Sequence, residues 1–572
     1  MKFFIKKIYI LLFLIALSLF QTKIFATESK IQYTSENISS YFSGIVSSNQ
    51  NHSNRAFKHL KKIDSLKNKH SKFNIEFIRT LVVLKKFNRA FTFSRKIWNE
   101  NELFFEADLL LGLDYFIKKD FKSAERHFER LNEISRYNLF FSNFVGNVLL
   151  AWNEASQGNE VESLKYMNKV PKTYNHLMKI QNSFLQCYFD TNKTENLFQN
   201  LIDNEDYNFS RYNFFLTNYL ISKNKPMEAR KIIDGARKKY NSNLLLKQTE
   251  EYLLQNKSYE IENFFNCQNE KNNLAEFFYI LANLYSSEKD YQMSNFYLRI
   301  SLFLNEDFLT NKTLLAENLF YQNQKDTSKD IYNSLKLIGP TYSWYASKNI
   351  ASILISEKGT DYAIKKIEDD FNLIKKPNFQ HYYEMANFYK DNEYYKESIK
   401  YYTLSLNNIK KNHSLVAKIL DRRGTSYERI DDWKSAEKDL LESLKIIPDQ
   451  ARVLNYLAYT WIDRGINLDK GLEMLKRAAQ LRKNDGYIID SLGWAYFAKK
   501  DFIEAEKYLQ QAVELLPGDP TINDHYADCL WMQKKNIQAR YFWKYVLTLD
   551  SANKEQKDII SKKILFGIDK KL

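Results

Sequence analysis

The stretch "DSLGWAYFAKKDFIEAEKYLQQAVELLPGDP", Asp490 to Pro520, decides the fold. It holds a serine, a Gly-Trp pair, two tyrosines and several carboxylates, so it reads either as a functional site or as a packing frame. A site occurs once, whereas a packing frame recurs at a fixed period. Moving 34 residues on, Leu492, Gly493, Tyr496, Ala505, Leu509, Ala512 and Pro517 fall on Tyr526, Ala527, Leu530, Ala539, Trp543, Val546 and Ser551. Upstream, Arg423, Gly424, Tyr427, Ala436, Leu440, Ser443 and Pro448 carry the same frame. The stretch is a repeat unit.

The frame describes two helices. Leu492 and Tyr496 are four apart, and Ala505, Leu509 and Ala512 run i, i+4, i+7, so each half places an apolar stripe on one helical face. Small residues at Gly493 and Ala505 let the two helices approach, where bulk would overpack. Asp501 followed by Glu504 reads as an N-cap with a capping box, and Pro517-Gly518 stops the second helix. Such a unit cannot bury its own apolar face, and each copy is expected to touch only its neighbours.

This period and order resemble the tetratricopeptide repeat family. Its Leu-Gly-x-x-Tyr, Ala-x-x-x-Phe-x-x-Ala, Pro pattern is met by Leu492-Gly493, Tyr496, Ala505, Leu509, Ala512 and Pro517. Ile489 stands where the family places an early tryptophan, and Trp494 comes five positions later. A capping aspartate, then an aromatic, three residues before a small residue, marks further copies. Asp120-Phe121, Asp290-Tyr291, Asp432-Trp433 and Asp501-Phe502 fit it. The frame predicts an all-α solenoid of roughly 12–15 helix-turn-helix units. Residues 27–270 form a divergent array, continuous with a better-framed one over 271–572. The polar run 256–273 belongs to a degenerate repeat.

Composition agrees. Seven prolines and 14 glycines in 572 residues are too few for a turn-rich β chain, and 44% hydrophobic residues suffice for a core. Many of the aromatics (15% of residues) fall on the repeat's own packing positions.

Residues 1–26 differ in kind. Lys2, Lys6 and Lys7 precede the apolar run Ile8 to Phe20, and Ala26 offers a small residue for cleavage. This is the pattern of a secretory signal peptide. No cysteine lies near it to carry a lipid. With Ile24 at the −3 position, an uncleaved inner-membrane anchor is the alternative. No later run is long enough to span a bilayer. The net charge is +15, and four signal lysines leave 15 − 4 = +11. Lysines alternate with glutamates and aspartates along outward faces, which reads as a solvated surface; together with export, this excludes nucleic acid as a partner.

Catalytic and metal patterns are missing, so no enzyme activity, cofactor or metal is expected. The eight histidines are scattered without an H-E-x-x-H, and Ser491 lacks a G-x-S-x-G elbow. Asp524, His525 and Asp528 are the nearest candidates. Adjacent helical residues diverge, so Asp524 and His525 do not face each other, while Asp524 and Asp528 share a face. Cys187, Cys267 and Cys529 lack metal spacing; in an oxidising compartment, a Cys187–Cys267 bridge is open.

What remains is a surface. The resemblance implies that first helices line a concave groove contacting a protein or peptide ligand. Carried onto the best-framed repeats, the contact positions are Arg452, Asn455 and Tyr459, then Tyr487, Asp490 and Trp494, then Asp524, His525 and Asp528. Trp494 lies off the core stripe, so it serves either as an aromatic anchor or as packing against the adjacent repeat. Some family members clamp a terminal carboxylate with Lys and Asn. The mixed, partly acidic set here implies a different ligand. Over most of its length the chain also resembles uncharacterised exported tetratricopeptide proteins of alphaproteobacteria. The stretches "YFSGIVSSNQNHSNRAFKHL", "GYIIDSLGWAYF" and "PTINDHYADCLWMQKKNIQARYFW" carry that resemblance, which implies a periplasmic scaffold or adaptor in cell-envelope assembly. The alternative is an accessory to polysaccharide or envelope-polymer export whose groove aromatics contact glycan.

Overall fold

A computed structural model describes residues 33–66, 70–134, 143–204, 206–240 and 242–568. The signal segment, residues 1–26, lies outside the described residues. Among the described residues, helices follow one another in fifteen consecutive pairs, from Ser35–Asn49 with Ser53–Leu60 to Pro520–Met532 with Asn536–Thr548. A last helix, Lys554–Phe566, covers the end of the series. The architecture is an all-α array of helical hairpins.

The same local chemistry builds each hairpin. Within most turns one residue takes a left-handed backbone: Asn51, Lys85 and Lys119, then Lys289 and Asn323, then Lys500 and Lys534, each 34 residues after the one before it in its group. Asp120, Asp290, Asp432 and Asp501 accept hydrogen bonds from the N–H three residues on, at 3.1–3.3 Å, and open the second helix. At Asp501 only this half of the predicted capping box forms, because Glu504 turns to Lys507. The polar run after Asn256 holds the short helix Ser258–Phe264, which closes a hairpin with Leu244–Leu254.

Packing repeats with the period. In several first helices a small residue faces a large residue sixteen positions later: Gly44 with Leu60, Gly112 with Phe128, Gly424 with Leu440, Gly493 with Leu509. A Cβ on Gly493 would come within 2.7 Å of Leu509. Ala386 with Tyr402 and Ala527 with Trp543 keep that spacing, all four fully buried.

The chain divides into two compact units, residues 1–371 and 372–572. In the second, each hairpin packs on the next. The first helices also touch one another, Ala451–Asp463 against Gly486–Ala498 and the latter against Pro520–Met532, and make the inner layer.

In the first unit, contacts reach well beyond neighbouring hairpins, which corrects the nearest-neighbour expectation. Helix Ser71–Val83 packs on Tyr291–Leu304, and Val145–Ser156 on Glu270–Ser287. Gln324 donates to the Asn51 carbonyl at 3.0 Å, and Phe87 stacks on Phe303 with centroids 4.0 Å apart. Glu270–Ser287 shows why one of these contacts forms. Leu274, Phe277, Phe278, Ile280 and Leu281 are all buried, so this helix is apolar around most of its circumference and needs partners on several sides. Its Glu276 is fully enclosed and takes a two-pronged ion pair from Arg211 at 3.0 and 2.7 Å. Cys187 and Cys267 form a disulfide that closes the same region, with Cα atoms 5.8 Å apart.

Candidate functional site

The inner face of the second unit is built by first helices, and the residues singled out from the sequence fall along it. On Ala451–Asp463, Arg452 is exposed and pairs with Asp421 of the preceding first helix. Asn455 and Tyr459 are half-buried. The Asn455 Oδ1 is buried with no hydrogen-bond partner among the described residues. Burial first, then the nearby Asp463 and Asp490, push the Tyr459 phenol up to about 12.

On Gly486–Ala498, Tyr487 stands 59% exposed, whereas Asp490 is buried. His525 Nδ1 of the next hairpin sits 3.0 Å from both Asp490 oxygens. Burial alone would lower this imidazole, but Asp490, with Asp524 and Asp528 behind it, holds it above its ordinary value. Trp494 is half-buried and stacks on His525 at 4.0 Å and on Phe497 at 4.5 Å. It also packs against the Leu475–Leu492 cluster of the core.

On Pro520–Met532, Asp524 and Asp528 do share a face. Both accept from the Trp543 indole at 3.0 and 3.1 Å, and both accept from Lys563 between 2.7 and 2.9 Å. Burial and the neighbouring Asp524 carboxylate push Asp528 up to about 7, against the pull of Lys563.

The structure therefore joins five of the nine predicted residues, Arg452, Asp490, Asp524, His525 and Asp528, into bonds between repeats and a sixth, Trp494, by stacking, and leaves Arg452 and Tyr487 the most exposed. Asp490, His525 and Asp528 are buried. Sequence reading missed Lys563 and Asp421, and placed Trp543 only in the packing frame. Lys563 could have been found: it lies 35 residues after Asp528, one repeat on, in a helix that has lost the apolar frame. No group of His, Cys, Asp and Glu suited to a metal occurs among the described residues.

Stacked hairpins with a continuous inner layer of first helices define a helical-repeat scaffold. Residues 488–519 match the tetratricopeptide repeat family, so the chain carries a repeat of that family within its array of hairpins. A TPR repeat-containing protein of Pseudomonas aeruginosa is 34% identical over 99 residues. The match spans 17% of this chain and only 17% of that relative. Among solved structures, the C-terminal part of a TPR repeat-containing protein from Cytophaga hutchinsonii is 17% identical with a TM-score of 0.31, covering 42% of this chain and 97% of that one. MamA from Desulfovibrio magneticus is 16% identical with a TM-score of 0.28, covering 31% and 97%.

Proposed function

We propose that the chain is an exported, non-catalytic scaffold that holds an extended protein or peptide segment along the inner face of its second unit, in the service of cell-envelope assembly. The observation that carries this reading is the continuous inner layer of first helices between Ala451 and Met532, on which Tyr487 and the Asp421-paired Arg452 present exposed side chains above a bonded floor. Interfaces draw their energy from a few aromatic and arginine anchors, and these two are of that kind. The floor of Asp490, His525, Asp524, Asp528 and Lys563 fixes the spacing of the anchors. Export rests on the charged and apolar N-terminal segment. The Cys187–Cys267 disulfide supports an oxidising compartment, and the periplasm is the compartment proposed. Among the described residues no helix is long and apolar enough to cross a membrane.

The test is capture from a bacterial envelope fraction with the full chain as bait. Arg452→Ala with Tyr487→Ala should release the captured protein, and Tyr487→Ala alone, which breaks no bond between repeats, should weaken capture while leaving the melting temperature unchanged. A glycan retained without protein would favour the polysaccharide-export alternative, and unchanged capture by the double variant would move the site elsewhere. N-terminal sequencing of the mature chain should start near Thr27, whereas a retained Met1 would favour the anchor.

A further inference from the structure

The first unit carries a cavity of about 670 Å³ where its early and late hairpins meet. Lys85 and Phe87 line it from the turn and helix after Ser71–Val83, and Arg299 and Phe303 from Tyr291–Leu304. Glu306 and Lys312 complete its charged wall, and Asn88, Ser334 and aliphatic side chains fill the rest. This volume is in the range of small-molecule sites, roughly 300–1,000 Å³.

Arg299 is the anomaly. It is 7% exposed, and its Nε is buried without a hydrogen-bond partner. Other deeply placed arginines of this chain have carboxylates: Arg79 with Glu106, Arg130 with Asp108, Arg211 with Glu276, Arg423 with Asp439. Arg299 has none among the described residues, and burial pushes its guanidinium down to about 10. A bare buried charge is strongly disfavoured, so its persistence calls for a counter-charge. The other cations do not supply one. The Arg299 charge, then burial, then Lys312 lower the Lys85 ammonium, with only Glu306 acting the other way. Lys312 itself has only a loose contact of 4.0 Å with the exposed Asp307. Three cations against one carboxylate leave the lining at +2.

We infer that this cavity binds a phosphate monoester, with Arg299 forking onto the phosphoryl oxygens, Lys85 and Lys312 flanking it, and the ester's apolar body lying on Phe303. A planar guanidinium gives two parallel hydrogen bonds to a phosphoryl group, and a dianion neutralises the net lining charge. Phe303 is 42% exposed, and its ring, stacked on Phe87, offers the apolar surface. A soluble monoester and a phosphatidic acid headgroup share this chemistry.

The test is calorimetric titration of the full chain at fixed ionic strength with inorganic phosphate, phenyl phosphate and phosphatidic acid vesicles in a phosphatidylcholine background. Phenyl phosphate should bind saturably, about ten-fold or more tighter than inorganic phosphate, because only the ester uses the ring. Vesicle binding that competes with phenyl phosphate would assign the lipid source, and its absence the soluble one. Arg299→Met should weaken phenyl phosphate about ten-fold or more, yet melt at or above the wild-type temperature without ligand, because it removes an unpaired buried charge. Lys85→Ala with Lys312→Ala, on less buried side chains, should also weaken it. No saturable binding of any probe, or undiminished binding by both variants, overturns the proposal. A ligand-free Arg299→Met that melts well below wild type also overturns it, because Arg299 is then structural.

Discussion

Asp528 shows how much one side chain near the end of the array controls. Its carboxyl is 3% exposed and held between Trp543 and Lys563. A pKa raised to about 7, against about 3.9 in an unfolded chain, means that the folded state holds the extra proton between those values. Stability therefore falls as pH rises through that window. His525, also raised, adds a loss in the same direction above its unfolded value of about 6.5. Thermal unfolding of the second unit should show a higher melting temperature at pH 5 than at pH 8. Asp528→Asn, neutral in both states and still able to accept from Lys563, should flatten the curve below pH 6.5 and keep only the histidine part above it. An undiminished slope in that variant would place the titrating group elsewhere. The sequence gives the helical face of Asp524 and Asp528 by their spacing of four. It hides their burial, which depends on Lys563 arriving from a helix whose own apolar frame has faded.

At the scale of the helical pair, nearly everything was legible. Gly493, Ala505, Leu509 and the cap at Asp501 act locally, and local chemistry repeats visibly. Gly493→Leu should lower the stability of the second unit by about 1–3 kcal/mol, because the new side chain meets Leu509 Cγ and the Leu509 backbone nitrogen. Chemical denaturation with circular dichroism reads this, and an unchanged midpoint would mean that the helices can separate at no cost. The turns carry the opposite opportunity. Lys534 has φ 63° and an exposed side chain, so its left-handed backbone strains an L-residue for no contact in return. Lys534→Gly should leave the turn's hydrogen bond from the residue 534 N–H to the Trp531 carbonyl in place and stabilise the unit by about 0.5–1 kcal/mol, the relief of left-handed strain less glycine's extra chain entropy. A fall in melting temperature would show that the lysine side chain is part of the packing.

At the scale of the molecule, periodicity stops being a guide. It describes a hairpin and its neighbour, and the second unit follows that logic. The first unit adds contacts between residues some two hundred positions apart, which no repeat pattern encodes. The legible trace was the composition of Glu270–Ser287, too apolar around its circumference for a helix with one buried stripe. Phe87 tests the consequence. It is 6% exposed, stacks on Phe303 at 4.0 Å, and ties the hairpin of Ser71–Ile97 to the helix Tyr291–Leu304. Phe87→Ala should cost about 3–5 kcal/mol by leaving a cavity. Its signature should be spatial rather than sequential. Because local openings follow the packing that is lost, amide hydrogen exchange should accelerate both in residues 71–97 and in 291–304, while the intervening Tyr212–Lys239 keeps its protection. In a purely nearest-neighbour stack the acceleration would spread from 71–97 only to the adjoining hairpins. Exchange confined to residues 53–134 would show that the Phe87–Phe303 stack carries no energy and that the early hairpins stand alone.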